Sequence, residues 1–110
     1  MTPRLTSDFW VSAYLKRLSM FNIPAFIVAK GDATAGAIVI KLNTLDGQAC
    51  AYHRTYDLDG NRVWAVLAQG VDRDVEASLA KQRSFDPDIW IIEVEDRDGR
   101  HLLDDDGLRG

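Results

Sequence analysis

The chain has little of what would narrow its chemistry quickly. Among its 110 residues there is one cysteine, Cys50, so no internal disulfide can form. That fits a reducing cytoplasm and excludes a disulfide-stapled scaffold. Two histidines beside that cysteine are too few soft ligands, at no metal-ligand spacing, for a zinc site. Long hydrophobic runs are missing: the longest, residues 63–68, is far short of the ~20 residues a membrane span needs. The first eight residues contain no apolar h-region, so no secretory signal is expected. A basic excess is missing too. Thirteen Lys/Arg against 17 Asp/Glu give a net charge of −4, whereas a chain that binds nucleic acid through its phosphates normally carries a basic stripe. Nucleic acid and membrane are therefore not expected partners.

What remains is an ordinary globular composition: 46% hydrophobic, 27% charged and a mean hydropathy of −0.17, enough for a self-sufficient core. Residues 1–103 read as one domain, and the acidic stretch 104–110 reads as a tail expected to fray. Charge is uneven. Residues 1–55 carry +3 and residues 56–110 carry −7, which describes a solvated acidic face, or two copies meeting head to tail.

The periodicity predicts an α+β fold. A helix spans residues 7–22, with Phe9, Trp10, Val11, Tyr14, Leu15, Leu18 and Phe21 covering most of its circumference and Ser12, Lys16 and Ser19 as its polar stripe. Thr6 or Ser7 caps its start, and Pro24 ends it. So wide an apolar surface predicts a helix clasped on several sides. Strands follow at 25–29, 37–40, 49–54 and 63–68, linked by 31–36, by Asp46-Gly47 and by a turn at Gly60. Such turns need positive φ, so a four-stranded antiparallel meander is expected. A second helix at 72–84 has Asp72 as its cap and a dipole-matched charge pattern. Asp86-Pro87 stops it before a fifth strand, 88–95, and a short run at 101–103. Several strands are apolar at consecutive positions, which predicts both faces covered. The expectation is a mixed sheet covered by the helices, with a second subunit as an alternative cover.

Familiar catalytic patterns fail on spacing. Gly31 and Gly36 have the glycine interval of a phosphate loop, but Ala37-Ile38 follows where Lys and Ser/Thr are required. Asp57-x-Asp59-x-Asn61 resembles the start of a calcium loop, but lacks its glycine and closing glutamate. Cys50 and His53 sit an odd number of positions apart on one strand and so face opposite sides. There is no nucleophile elbow and no dinucleotide fingerprint, so no cofactor is expected. The densest polar chemistry lies in 86–101. Glu93 and Glu95 share one strand face, where paired carboxylates near a histidine could hold a hard cation or share a proton. A hydrated strand end with a tight turn explains the same residues, and no metal is expected. If a polar site exists, the expectation is that 31–36 and 86–101 converge on it, with Asp32, Asp86, Asp88, Glu93, Glu95, Arg100 and His101 as its lining.

Four blocks carry a family resemblance: Trp10-Val11-Ser12-Ala13-Tyr14-Leu15, residues 31–36, Phe85-Asp86-Pro87-Asp88-Ile89-Trp90, and residues 93–101. Together they resemble the bacterial DUF1491 family over nearly the whole chain. The resemblance implies a stand-alone bacterial single-domain protein and transfers no activity, cofactor or catalytic residue. Two functions are expected instead from the residues themselves, namely continuous apolar strands with only two helices to cover them and no complete catalytic constellation. The first is a non-enzymatic association domain whose partner is a second copy. The alternative is a small hydrolase or ligand-binding enzyme using the acidic C-terminal segment.

Overall fold

The structure, a computed structural model, describes residues 5–104. Its elements run α1 (Ser7–Met20), β1 (Ala25–Ala29), β2 (Ile38–Asn43), β3 (Gln48–Tyr56), β4 (Arg62–Val71), α2 (Asp72–Phe85) and β5 (Trp90–Glu95). The α+β class, the order of elements and the mixed sheet are as the sequence predicts. Residues 101–103 form no strand, and the tail at 105–110, expected to fray, lies outside the described residues.

The meander is where expectation and structure part. The sheet order is β1-β5-β2-β3-β4, so only β2, β3 and β4 form an antiparallel meander, and β5 separates β1 from β2. It pairs antiparallel with β1 and parallel with β2. The apolar pattern alone does not decide this order. Five of the six residues of β5 are buried, and a strand apolar on both faces gains most in the centre, where both faces are covered. By contrast β1, just as apolar, is left at an edge with three of its five residues exposed.

Residues 31–36 are consequently not a hairpin loop. They are tied down on two sides. The Ser7 and Asp8 amides at the start of α1 donate to the carbonyls of Thr34 and Ala33 (3.1 and 2.9 Å), and the Asp32 amide donates to the Asp88 carbonyl (2.9 Å). These loop carbonyls satisfy helix N–H groups that otherwise lack an intrahelical partner. Thr6 holds the N-cap position, its carbonyl accepting from the Trp10 amide (3.0 Å), but its side chain makes no capping bond, and the Ser7 hydroxyl donates to the Gly36 carbonyl (2.6 Å). Gly31 and Gly36 are required by proximity rather than by positive φ. A Cβ on either would lie 2.1 or 2.3 Å from the Asp88 carbonyl oxygen. Gly47, Gly60 and Gly99 do take positive φ in their turns, as the Asp-Gly pattern predicts.

Each face of the sheet has its own core. On one, Trp10, Val11, Tyr14 and Leu18 of α1 pack on Ile40, Leu42, Trp90, Ile92 and Val94. On the other, Val75 and Leu79 of α2 pack on Val39, Ala49, Ala51 and Ile91. The clasped-helix expectation is corrected: α1 packs along one side, and Phe9 and Phe21 remain exposed. Asp72 does not cap α2 either. Val71 holds that position, and the Asp72 carboxylate turns toward Lys41.

Candidate functional site

Beyond the first residue of β2, the β3–β4 hairpin continues past the sheet and leaves a cleft of about 560 Å³. One wall is the start of α1 and the loop 34–37; the other is the far half of the hairpin, and Gln82 and Asp86 close one end. An aromatic column backs it. Trp10 stacks on Tyr14 at 4.8 Å and meets Trp64 at 5.4 Å, while the Arg54 guanidinium sits 4.7 Å over the Trp64 ring. That volume suits a small molecule. The cleft lining includes His53 with Thr6, Ser7, Thr34 and Thr55. Ser7, its buried hydroxyl, is spent on Gly36. Cys50 and His53 point to opposite faces, since Cys50 pairs with Leu42 on the α1 side and His53 with Val39 on the α2 side.

The seven polar residues singled out in sequence fall into four places. Asp32, Asp86 and Asp88 lie together. The Asp32 carboxylate accepts from the Thr34 and Ala35 amides (3.2 and 2.8 Å), its carbonyl accepts from the Trp90 indole (2.8 Å), and the Asp86 carboxylate accepts from the Asp88 amide (3.1 Å). These bonds fold the loop, and of the three only Asp86 reaches the cleft. Arg100 and His101 lie beyond the opposite end of β5, roughly 20 Å away along six residues at ~3.3 Å each. There Asp96 accepts from the Arg100 side chain twice (3.1 and 3.0 Å) and from its amide (2.7 Å). The guanidinium holds the Asp96 carboxyl below the usual carboxylate range. The His101 ring lies 4.8 Å from Tyr52, its Nδ1 accepts from the Leu103 amide, and its carbonyl accepts from the Tyr14 hydroxyl. Burial lowers its pKa, against a smaller upward pull from Asp104. Burial also drives the Tyr14 phenol well above its ordinary range and Tyr52 up to about 12.

Glu93 stands apart, on the α2 face. It is part of a cluster in which Lys41, 2% exposed, contacts three carboxylates: Glu93 (3.1 Å), Asp72 (2.7 Å) and Glu76. Burial opposes its charge, but the bonds to Asp72, Glu76 and Glu93 outweigh that and hold its pKa above the ordinary lysine range. In sequence Lys41 is one basic residue among thirteen. The signal was there: a single cation inside Ile38-Val39-Ile40-Lys41-Leu42, a run covered on both faces, must find anions. Glu95, one strand step further on, is half-buried and joins neither group. Among the described residues no three His, Cys, Asp or Glu side chains are placed to hold a metal ion, and no helix is long and apolar enough to cross a membrane.

One more surface stands out. Phe26, Ile27 and Val28 of edge strand β1 are 48%, 43% and 47% exposed, and the strand carries no charged residue. Natural edges are usually blunted by charge, proline or a bulge; β1 has a bulge between Ile27 and Ala29 and Pro24 just before it.

Solved structures share this architecture. A DUF1491 family protein from Caulobacter crescentus, in its crystal structure, is 36% identical with a TM-score of 0.83, over 91% of this chain and 95% of that one. An NMR structure of a DUF1491 family protein from the same organism gives 36% and 0.80, over 93% and 94%. A protein from A. tumefaciens, solved in solution, is 28% identical with a TM-score of 0.76, over 92% and 93%. No curated protein matches. The family model described as a protein of unknown function, DUF1491, matches residues 5–104, and the chain belongs to that family.

Proposed function

We propose that this protein works by association with another polypeptide, presented through edge strand β1 and the adjoining end of α1, in a reducing compartment. The observation that carries the reading is the uncharged edge itself. Three consecutive large apolar side chains lie nearly half exposed beside backbone groups that no strand among the described residues covers on the outer side. Such an edge is a template for strand addition. Met20 and Phe21, at 66% and 44% exposure, extend the apolar surface to the turn that leads into β1.

The test is a photo-crosslinking amino acid substituted for Val28 in living cells. A covalent adduct that disappears when Ile27→Lys is added is the expected result. Absence of any adduct refutes association through this edge.

A second reading, small-molecule binding, rests on the cleft of about 560 Å³. Saturable quenching of tryptophan fluorescence by a small aromatic compound, abolished by Trp64→Ala, would support it. No response across a broad compound set counts against it.

A further inference from the structure

The edge strand's hydrogen-bonding pattern carries more than the bare likelihood of contact, because it fixes a register. In an antiparallel pair, residues alternate between positions that exchange both backbone bonds and positions that exchange none. The Glu95 amide donates to the Pro24 carbonyl (2.9 Å), and the register runs Ala25 to Val94, Phe26 to Glu93 and Ile27 to Ile92. Pro24 and Phe26 therefore spend their backbone groups on β5, and the amides and carbonyls of Ala25 and Ile27 point outward. Past Ile27 the bulge shifts the register and ends the regular edge. The open template is thus two outward-facing residues flanking Phe26.

That template is complementary to itself. Resting on the association reading above, we propose that the partner is a second copy of this chain, paired antiparallel through β1 about a two-fold axis at Phe26. In this arrangement Ala25 of each copy exchanges both backbone bonds with Ile27 of the other. Phe26 faces its own symmetry mate at a position without backbone bonds, where Cα atoms approach to ~4.5 Å. A two-fold contact of this kind uses the same patch on both copies. Both phenylalanine rings lie on the α2 face, as Phe26 pairs with Glu93, and cover one another. No charge on the strand opposes the approach. The two five-stranded sheets become one continuous sheet.

Area sets the strength. Taking about 200 Å² or slightly less for a full large side chain, the exposed parts of Phe26, Ile27, Val28, Met20 and Phe21 amount to roughly 400–500 Å² per copy, against ~800 Å² in a standard interface. The dimer is therefore a weak one that forms and dissociates with concentration.

The experiment uses the purified full chain, where no other partner is present. Light scattering should show a mass rising from 12.3 kDa toward twice that with concentration, and Ile27→Lys should hold it at the monomer. Phe26→Cys in a Cys50→Ser background should oxidise to a covalent dimer, since ~4.5 Å between Cα atoms lies within disulfide reach. Ile27→Cys in the same background should not, because the two Ile27 Cα atoms would be ~8 Å apart. A monomer at every soluble concentration overturns the proposal, as does cross-linking through position 27 but not 26. If the purified chain is monomeric while the Val28 photo-adduct in cells has another mass, the second-copy assignment falls and the association reading stands.

Discussion

Replacing Lys41 with methionine is the sharpest test of how the α2 face is held. The side chain is 2% exposed and touches Asp72, Glu76 and Glu93, whose side chains are 38%, 52% and 12% exposed. Methionine fills a similar volume, so packing changes little and the effect is electrostatic. Removing one partner of a buried ion pair costs about 3–5 kcal/mol, because the survivor is left charged and dry. Asp72 and Glu76 can turn to water, and only Glu93 is stranded, so Lys41→Met should lie near the lower end, about 3 kcal/mol. In urea that lowers the midpoint by about 1–3 M for slopes of ~1–3 kcal/mol/M. Adding Glu93→Leu removes the stranded charge and should recover most of the loss, since apolar replacement of a whole buried pair is often near neutral. The cluster also has a pH signature. With a folded pKa above the ordinary 10.5, Lys41 contributes stability that is fully present below that value and lost as pH rises through the folded one. The alkaline limb of the wild type should therefore be steeper than that of Lys41→Met. A cost under about 1 kcal/mol, with no recovery in the double variant, would refute the reasoning.

Three further outcomes are expected. His101 has a folded pKa below 6.5 and accepts at Nδ1 from the Leu103 amide; its stability contribution is present above pH 6.5 and lost as pH falls through the folded value. His101→Asn should flatten that acid limb in thermal melts, and an unchanged limb assigns it to other groups. Gly31→Ala must push a Cβ against the Asp88 carbonyl at 2.1 Å, whereas at Gly47, with φ +88°, nothing lies within 4 Å. Gly47→Ala should cost about 1 kcal/mol, the ordinary strain of a left-handed residue, and Gly31→Ala clearly more; equal melting shifts would contradict the close approach. Leu18→Ala should cost roughly 2–5 kcal/mol as a cavity and Lys16→Ala within about ±0.5 kcal/mol, with denaturant melts as the check; similar values would mean the wrong face of α1 is buried.

The parts of the fold legible in the sequence are those set by neighbours along the chain. Asp46-Gly47 and Asp98-Gly99 announce their turns through a φ requirement local to four residues, and the charge pattern of α2 marks both its ends. Strand order is different in kind. Putting β5 between β1 and β2 comes from its ladders with both strands, and the Asp32–Asp88 backbone bond joins segments 56 positions apart; such contacts leave no local trace. The same consecutive apolar residues describe β5, covered on both faces, and β1, an edge. For that reason the pattern could not separate a central strand from an exposed one. Of the candidate site, the Asp96–Arg100 pair is local and readable as an i,i+4 ion pair. The Lys41 cluster draws its anions from β5 and from the first turns of α2, so only the need for a partner shows in sequence, never its identity.

The central place of β5 bears on synthesis. The strand that joins β1 to β2 emerges only after both, and sixty residues, 30 to 89, separate β1 from it. At ~5–20 residues per second, a nascent chain waits ~3–12 s with β1 unable to join the sheet. During that interval the β2–β3–β4 meander can form but lacks its neighbour on one side, and the segment that becomes the apolar β1 edge has nothing to pair with. Vectorial folding from the amino end is thus closed to this topology, and the sheet is completed from the middle, last. A ribosome that stalls after α2 leaves a chain with β1 unpaired and β2 open along one side, a natural substrate for chaperones and proteases.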